Sequence, residues 1–131
     1  MALKALLIVA VLGLAACDQN PVEPAGYYKN AAGVRVFTFE LKGSPTEREI
    51  REHARNLPYT AGRMTAAYYY VAGSKIPRDG VTLARSVFEV NEVLYEMSGL
   101  SPWRYAYMRS LDGSAEFVDC SVQTGHSLCR K

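Results

Sequence analysis

Three side chains near the C-terminus, Cys120, His126 and Cys129, are of types that bind metal ions or form covalent cross-links. Two cysteines separated by a short segment can form a disulfide that closes a small loop. The alternative is that all three side chains ligate zinc, but structural zinc sites usually contain closely spaced ligand pairs. The segment has no CxxC or CxxH pair. We therefore expect a disulfide between Cys120 and Cys129, and no metal ion or other cofactor held by the folded domain.

The two histidines, His53 and His126, are the candidates for acid–base chemistry. A hydrolytic site combines a base with a nucleophile and an orienting group. Neither histidine lies in a recognisable nucleophile motif such as Gly-x-Ser-x-Gly. We expect His53 to be a partly buried structural residue and assign no catalytic residue. A hydrolase would require one of these histidines to lie beside a carboxylate and a nucleophile.

Aromatic residues are concentrated in two segments that alternate as β-strands do. Tyr68 and Tyr70 would share one face of their strand, and Trp103, Tyr105 and Tyr107 would share one face of theirs. If helices cover only the opposite face of the sheet, these rings form an exposed surface suited to binding a protein, a peptide or a glycan. The alternative is that the rings pack inside the protein. We take these five residues as the candidate partner-binding surface.

Local patterns predict four strands and two helices. The strands are expected at residues 34–41, 64–72, 103–109 and 115–122, where β-branched and aromatic residues are enriched. The last two strands flank an Asp-Gly pair, which is typical of a hairpin turn. The second strand is apolar on both faces, which favours a central position in the sheet.

Both helices are predicted from capping residues and apolar periodicity. Ser44 is expected to cap the first helix, with Glu47 completing a capping box, and this helix should end near Asn56. Asp79 is expected to cap the second helix, over residues 81–97. Its apolar face would comprise Leu83, Val87, Val90, Leu94 and Met97.

The order strand, helix, strand, helix, strand, strand predicts an α+β fold. The expected architecture is a two-layer α/β sandwich, in which a mixed four-stranded sheet carries both helices on one face. Residues 27–131 would form this single domain. Residues 17–26 contain two prolines and a glycine and predict a flexible tether.

The charge balance argues against nucleic acid as a partner. The chain has 15 Lys and Arg residues against 13 Asp and Glu residues. A nucleic-acid-binding protein usually carries a clear basic surplus clustered on one face, whereas these cations are scattered among acids. We therefore expect no nucleic-acid partner.

The first residues have the anatomy of a secretory signal. Lys4 precedes an apolar run over residues 5–14, and small residues follow. The run is shorter than the ~20 residues that a membrane-spanning helix needs. The sequence Leu14-Ala15-Ala16-Cys17 resembles the lipobox of bacterial membrane lipoproteins.

The resemblance to a lipobox implies that residues 1–16 are removed as a signal peptide. Cys17 would then carry a diacylglycerol and a fatty acid and hold the domain at a membrane, facing the periplasm. Asp18 favours the inner membrane under the sorting rule of enteric bacteria, and the outer membrane is the alternative.

These patterns together predict a lipid-anchored protein of the bacterial envelope. Its expected role is that of a non-enzymatic binding or accessory module that contacts a protein partner through the aromatic sheet face. The alternative is a small envelope hydrolase or an enzyme that modifies peptidoglycan.

Overall fold

The computed structural model describes residues 20–130, which form one five-stranded sheet with helices on both faces. The strands lie side by side in the order of the sequence: β1 (Val22–Lys29), β2 (Arg35–Leu41), β3 (Thr65–Tyr70), β4 (Tyr105–Arg109) and β5 (Ala115–Asp119). Strands β2 and β3 are parallel and are connected through helix α1 (Glu47–Arg55), whereas all other neighbours are antiparallel.

The central strand β3 explains why both faces of the sheet are covered. All six of its residues are buried. Alternation along the strand sends Tyr68 and Tyr70 into one apolar core and Tyr69 into a second core on the other face. A strand that is apolar on both faces must be shielded from water on both.

The helices divide between these two cores. Ile50 and Ala54 of α1 contribute to the core around Tyr69. On the opposite face, α2 (Asp79–Thr82) and α3 (Val87–Asn91) contribute Val81 and Val90 to the core around Tyr68 and Tyr70. The domain therefore has three layers, with the sheet in the middle.

The predicted two-layer sandwich is therefore wrong in strand number, helix number and arrangement. The described residues contain five strands rather than four and three helices rather than two, and the helices do not share one face. The period of an amphipathic segment shows which of its faces is apolar. It does not show on which side of the sheet that face docks.

The additional strand, β1, begins at Val22, within the segment that was expected to be a tether, and continues beyond it to Lys29. It pairs with β2 from Val22↔Leu41 to Lys29↔Arg35, with an irregularity between Pro24 and Gly26. Proline is compatible with an edge strand or a bulge, where its missing N–H breaks no ladder hydrogen bond. The Gly26 N–H donates to Thr38 Oγ1, and a Cβ at position 26 would lie 2.9 Å from the Arg78 carbonyl oxygen. Pro24 and Gly26 therefore shape a strand rather than loosen a linker.

Helix α1 begins two residues later than predicted. Thr46, not Ser44, is its N-cap: the Glu49 N–H donates to Thr46 Oγ1, and the Thr46 N–H donates to the Glu49 carboxylate. The sequence therefore contains two overlapping capping-box patterns, and the structure uses the second.

The predicted helix over residues 81–97 is broken into separate parts. Helices α2 and α3 are separated by a short link, and α3 continues as a π-helical turn over Glu92–Glu96. Ser86 causes the break, since its side chain accepts a hydrogen bond from the Glu89 N–H and starts a new helix. Ser86-x-x-Glu89 is itself a capping-box spacing, which the longer apolar period obscured.

Candidate functional site

The five aromatic residues predicted to bind a partner lie inside the protein. Tyr68, Tyr70 and Trp103 belong to one core, whereas Tyr105 and Tyr107 belong to the other, and none is more than 8% exposed. Because both faces of the sheet are covered, these rings form no exposed aromatic surface. The alternative considered from the sequence, that they pack inside, is what the structure contains.

The buried tyrosine hydroxyls are held by hydrogen bonds or shielded from water. The hydroxyl oxygens of Tyr68 and Tyr95 are 3.0 Å apart and share a hydrogen bond. Burial raises the pKa of Tyr68, Tyr69 and Tyr70, because the phenolate would lack water around it. These hydroxyls therefore stay protonated and serve packing.

The predicted disulfide between Cys120 and Cys129 is confirmed. Its Cα atoms are 5.5 Å apart, and it joins the end of β5 to a buried part of the C-terminal tail. Trp103 adds a second link, since its Nε1–H donates to the Leu128 carbonyl at 2.9 Å. The disulfide occupies both thiols that the metal-site alternative required.

An ion pair fixes the strand end from which this tail leaves. The Arg104 guanidinium contacts both carboxylate oxygens of Asp119, at 2.9 and 3.3 Å. Asp119 also accepts hydrogen bonds from the backbone and hydroxyl of Ser121. Led by the Arg104 contact, these donors lower the pKa of Asp119 to about 2. Asp119 thus has a structural role.

His126 is held in one orientation by both of its ring nitrogens. The Leu128 N–H donates to His126 Nδ1 at 3.0 Å, so the proton of a neutral ring lies on Nε2. Nε2 is 2.6 Å from the Glu116 carboxylate. With both nitrogens engaged, His126 has no free acceptor for the proton of a nucleophile.

His53 is a residue of α1, on the other side of the sheet, and its ring faces the second core. Its Nδ1 is 3.0 Å from the Tyr69 hydroxyl, and its ring contacts Phe39 edge-on. Within residues 20–130, neither histidine is hydrogen-bonded to a serine, threonine or cysteine side chain. The two histidines are not brought together: His53 contacts the Tyr69 hydroxyl, and His126 contacts the Glu116 carboxylate.

His53 should make the stability of the domain depend on pH. Its half-buried ring disfavours the charged form, so burial lowers its pKa below the ordinary value of 6.5. Below pH 6.5 the unfolded chain then binds a proton more readily than the native protein does. The free energy of unfolding should therefore fall as the pH drops below about 6.5, until the lowered native pKa is passed.

Urea unfolding between pH 5 and pH 8 measures this effect of His53. The His53→Gln variant should lose this part of the pH dependence, whereas His126→Gln should retain it. An identical slope in the wild type and in His53→Gln would contradict the assignment to His53.

Among residues 20–130, no group of three or more histidine, cysteine, aspartate or glutamate side chains is placed to hold a metal ion. No helix of this part of the chain is both long and apolar enough to cross a membrane. Cys17, the predicted lipidation site, lies outside the described residues.

The site that sequence reasoning missed is a groove between α2 and the segment from α3 through the π-helical turn. We call it the α2–α3 groove. It has a volume of about 670 Å³ and an apolar floor that includes Leu83, Ala84, Val93 and Met97. Carboxylates of Asp79, Glu92 and Glu96 lie along its rim.

The break between α2 and α3 turns apolar side chains outward into the α2–α3 groove. Leu83 and Met97, both expected to be on a buried helix face, are 75% and 49% exposed. The Met97 N–H donates to the Glu92 carbonyl, a five-residue spacing that displaces Met97 from the line of Val90 and Leu94. The missed signal was the Ser86-x-x-Glu89 spacing, which divides the segment.

A buried carboxylate holds the chain that leads into α2. Glu40, on β2, accepts a hydrogen bond from the Gly73 N–H and forms ion pairs with Lys42 and Arg78. The contact with Lys42 contributes most to lowering the pKa of Glu40. Arg78 directly precedes α2. The ion pair between Glu40 and Arg78 therefore helps to position α2, which forms one side of the α2–α3 groove.

Close packing of α2 against the π-helical turn sets the width of the α2–α3 groove. A Cβ at Gly80 would lie 3.1 Å from Val93 Cγ1, so a larger residue would require Val93 or α2 to shift. The link between the helices is also fixed, because the Arg85 N–H and guanidinium both contact the Glu89 carboxylate. These contacts favour a groove that keeps its shape in the absence of a partner.

No protein-family model, curated protein or solved structure matches this chain.

Proposed function

We propose that this chain is a lipid-anchored, non-enzymatic binding module of a bacterial envelope. The observation that carries the proposal is the disulfide between two of its three cysteines, taken together with the sequence around the third. Cys120 and Cys129 form a disulfide, which is typical of proteins that fold in an oxidising compartment. The third cysteine, Cys17, directly follows the Leu-Ala-Ala of the lipobox-like sequence, where a lipid would be attached.

A binding role is supported by the contrast between the packed sheet and the α2–α3 groove. The five aromatic side chains predicted to bind a partner are buried, and neither histidine is hydrogen-bonded to a serine, threonine or cysteine side chain within residues 20–130. The groove instead presents apolar side chains to water, a feature that is common where proteins bind partners. We propose that the domain acts by holding a partner near the membrane.

The short distance between Cys17 and the first strand would keep the domain at the bilayer surface. Strand β1 begins at Val22, five residue steps after Cys17. Five steps of fully extended chain span at most about 18 Å, less than the predicted tether of residues 17–26 would allow. We propose that the domain faces the periplasm, with the inner membrane favoured by Asp18.

The lipid anchor is tested by Cys17→Ser in a bacterial host grown with labelled palmitate. The wild-type chain should incorporate label, and the mass of its processed form should equal residues 17–131 plus the lipid. Cys17→Ser should incorporate no label and should remain unprocessed, because the acylated thiol is missing. Gln19→Ser serves as the neighbouring control and should behave as the wild type does. A wild-type chain without label, or a Cys17→Ser chain that retains it, would refute the anchor.

A further inference from the structure

We infer that the α2–α3 groove binds a cationic, apolar helical segment of a protein partner. This inference rests on the proposed role as a binding module and adds the location and chemistry of the contact. Three properties of the groove support it: its apolar floor, its unpaired carboxylates and its volume.

The apolar floor of the α2–α3 groove favours a partner with an apolar face. Leu83 is the most exposed of its large side chains, and Met97 lies across the floor with half of its surface in water. Elsewhere, Val90 and Leu94 of the same segment are fully buried in the core. Leu83 and Met97 are therefore apolar side chains that the domain itself leaves uncovered, and a partner would remove them from water.

The negative charge on the rim of the α2–α3 groove indicates that the partner carries positive charge. Among the residues that the structure describes, the carboxylates of Asp79, Glu92 and Glu96 have no cation within salt-bridge distance. Arg85, which lines the groove, is already paired with Glu89 at 3.2 Å, and the nearby Arg130 guanidinium donates to the carbonyls of Met97 and Leu100. The rim is therefore net negative and complements lysine or arginine side chains of a partner.

The same charges argue against the bilayer as the occupant of the groove. The surface of a membrane rich in anionic lipids attracts basic segments, and three unpaired carboxylates would be repelled from it. An exposed apolar patch on a lipid-anchored domain could otherwise be explained by contact with acyl chains. The acidic rim therefore favours a protein segment over lipid.

The size of the α2–α3 groove accommodates one face of a short helix. The groove lies between the single turn of α2 and the π-helical turn, and its volume of about 670 Å³ is enough for a few apolar side chains. An amphipathic helix in such a groove anchors through residues spaced three and four apart. Cationic residues flanking that apolar stripe would lie against the acidic rim.

Selection from a displayed peptide library tests this inference directly. The full purified chain is used as bait, with random peptides about 15 residues long, roughly four helical turns. Enriched peptides should carry a net positive charge and apolar residues at helical spacing. Their affinity should fall about tenfold for Leu83→Asn and for Glu92→Gln/Glu96→Gln, because each variant removes one of the two complementary features. Added salt should weaken the binding of the same peptides.

Two variants of exposed residues outside the groove control for nonspecific effects. Leu111→Asn changes a similarly exposed leucine in the turn between β4 and β5, and Glu52→Gln removes an exposed helical carboxylate from α1. Both should bind the selected peptides as the wild type does. Thermal unfolding of every variant shows whether the fold is retained.

Several outcomes would overturn the inference. These are the absence of enrichment, enrichment of acidic or neutral peptides, and equal binding by the groove variants. A dimer that Leu83→Asn abolishes, with no cationic peptide enriched, would instead assign the groove to a second copy of the chain. The selection does not depend on the lipid, so it can fail while the palmitate experiment succeeds, and the reverse also holds.

Discussion

Replacing Trp103 with alanine is expected to destabilise the domain by about 3–5 kcal/mol. Trp103 is 3% exposed, and its ring lies 4.5 Å from the ring of Tyr68 and 4.9 Å from that of Tyr95, centroid to centroid. Removing the indole leaves a cavity among these rings and leaves the Leu128 carbonyl without the donor that holds the tail. Urea unfolding followed by circular dichroism measures the free energy of unfolding.

Two comparisons make the effect of Trp103→Ala interpretable. Val122→Ala, at a position that is 76% exposed, should change stability by less than about 0.5 kcal/mol. Trp103→Phe keeps an aromatic ring but loses the hydrogen bond, and should fall between Trp103→Ala and the wild type. If Trp103→Ala were as stable as Val122→Ala, Trp103 would belong to a free surface, as the alternation of the strand first suggested.

Replacing both Cys120 and Cys129 with alanine is expected to cost about 2–3 kcal/mol. The disulfide joins residues nine apart in sequence, and its main contribution is to restrict the unfolded chain. Alanine is used because Cys129 is buried, where a serine hydroxyl would need a hydrogen-bond partner. The midpoint of thermal unfolding should therefore decrease.

A reductant provides the control for the disulfide prediction. Dithiothreitol should lower the unfolding midpoint of the wild type towards that of the double variant and leave the variant unchanged. A wild-type midpoint that is insensitive to reductant, together with a double variant as stable as the wild type, would show that the cross-link adds nothing. The expected result would mean that the domain is more stable in an oxidising compartment, where the disulfide stays formed.

These expectations change where a binding partner should be sought. Alanine substitutions at Tyr68, Tyr70 or Tyr105 would remove core side chains. Any loss of binding would then be confounded with unfolding. Leu83 and Glu92 can be changed without entering a core, because both are exposed. The α2–α3 groove is therefore the surface on which binding can be tested separately from stability.

Several features were predictable because they depend on neighbours in sequence. The hairpin over Asp112-Gly113 forms as expected, with Gly113 at a φ of +84°. Helix α1 carries two ion pairs between residues four apart, Glu47 with Arg51 and Arg48 with Glu52. The disulfide could be predicted because only a short loop separates its two cysteines.

The candidate site was not predictable in the same way, because its signals compete. Residues 81–97 carry an apolar helical period, but Ser86 and Glu89 also carry the spacing of a capping box. The apolar period reflects the whole segment, from residue 81 to residue 97. The cap acts at a single residue, Ser86, from which the next helix begins. Leu83 was therefore assigned to the core, although it lies in the α2–α3 groove.

By itself, the sequence determined the local elements of this protein: where chains turn, where helix α1 forms, which cysteines pair and where a lipid is proposed to attach. Only the tertiary structure decided which faces are covered and which side chains remain in water. Strand β1 illustrates the difference. Pro24 and Gly26 suggest a linker when only the sequence is considered. In the structure this segment pairs with β2, and Pro77 and Arg78 lie close to Gly26. Local preferences act over a few residues, whereas burial depends on segments distant in sequence, and here burial determined where a partner could bind.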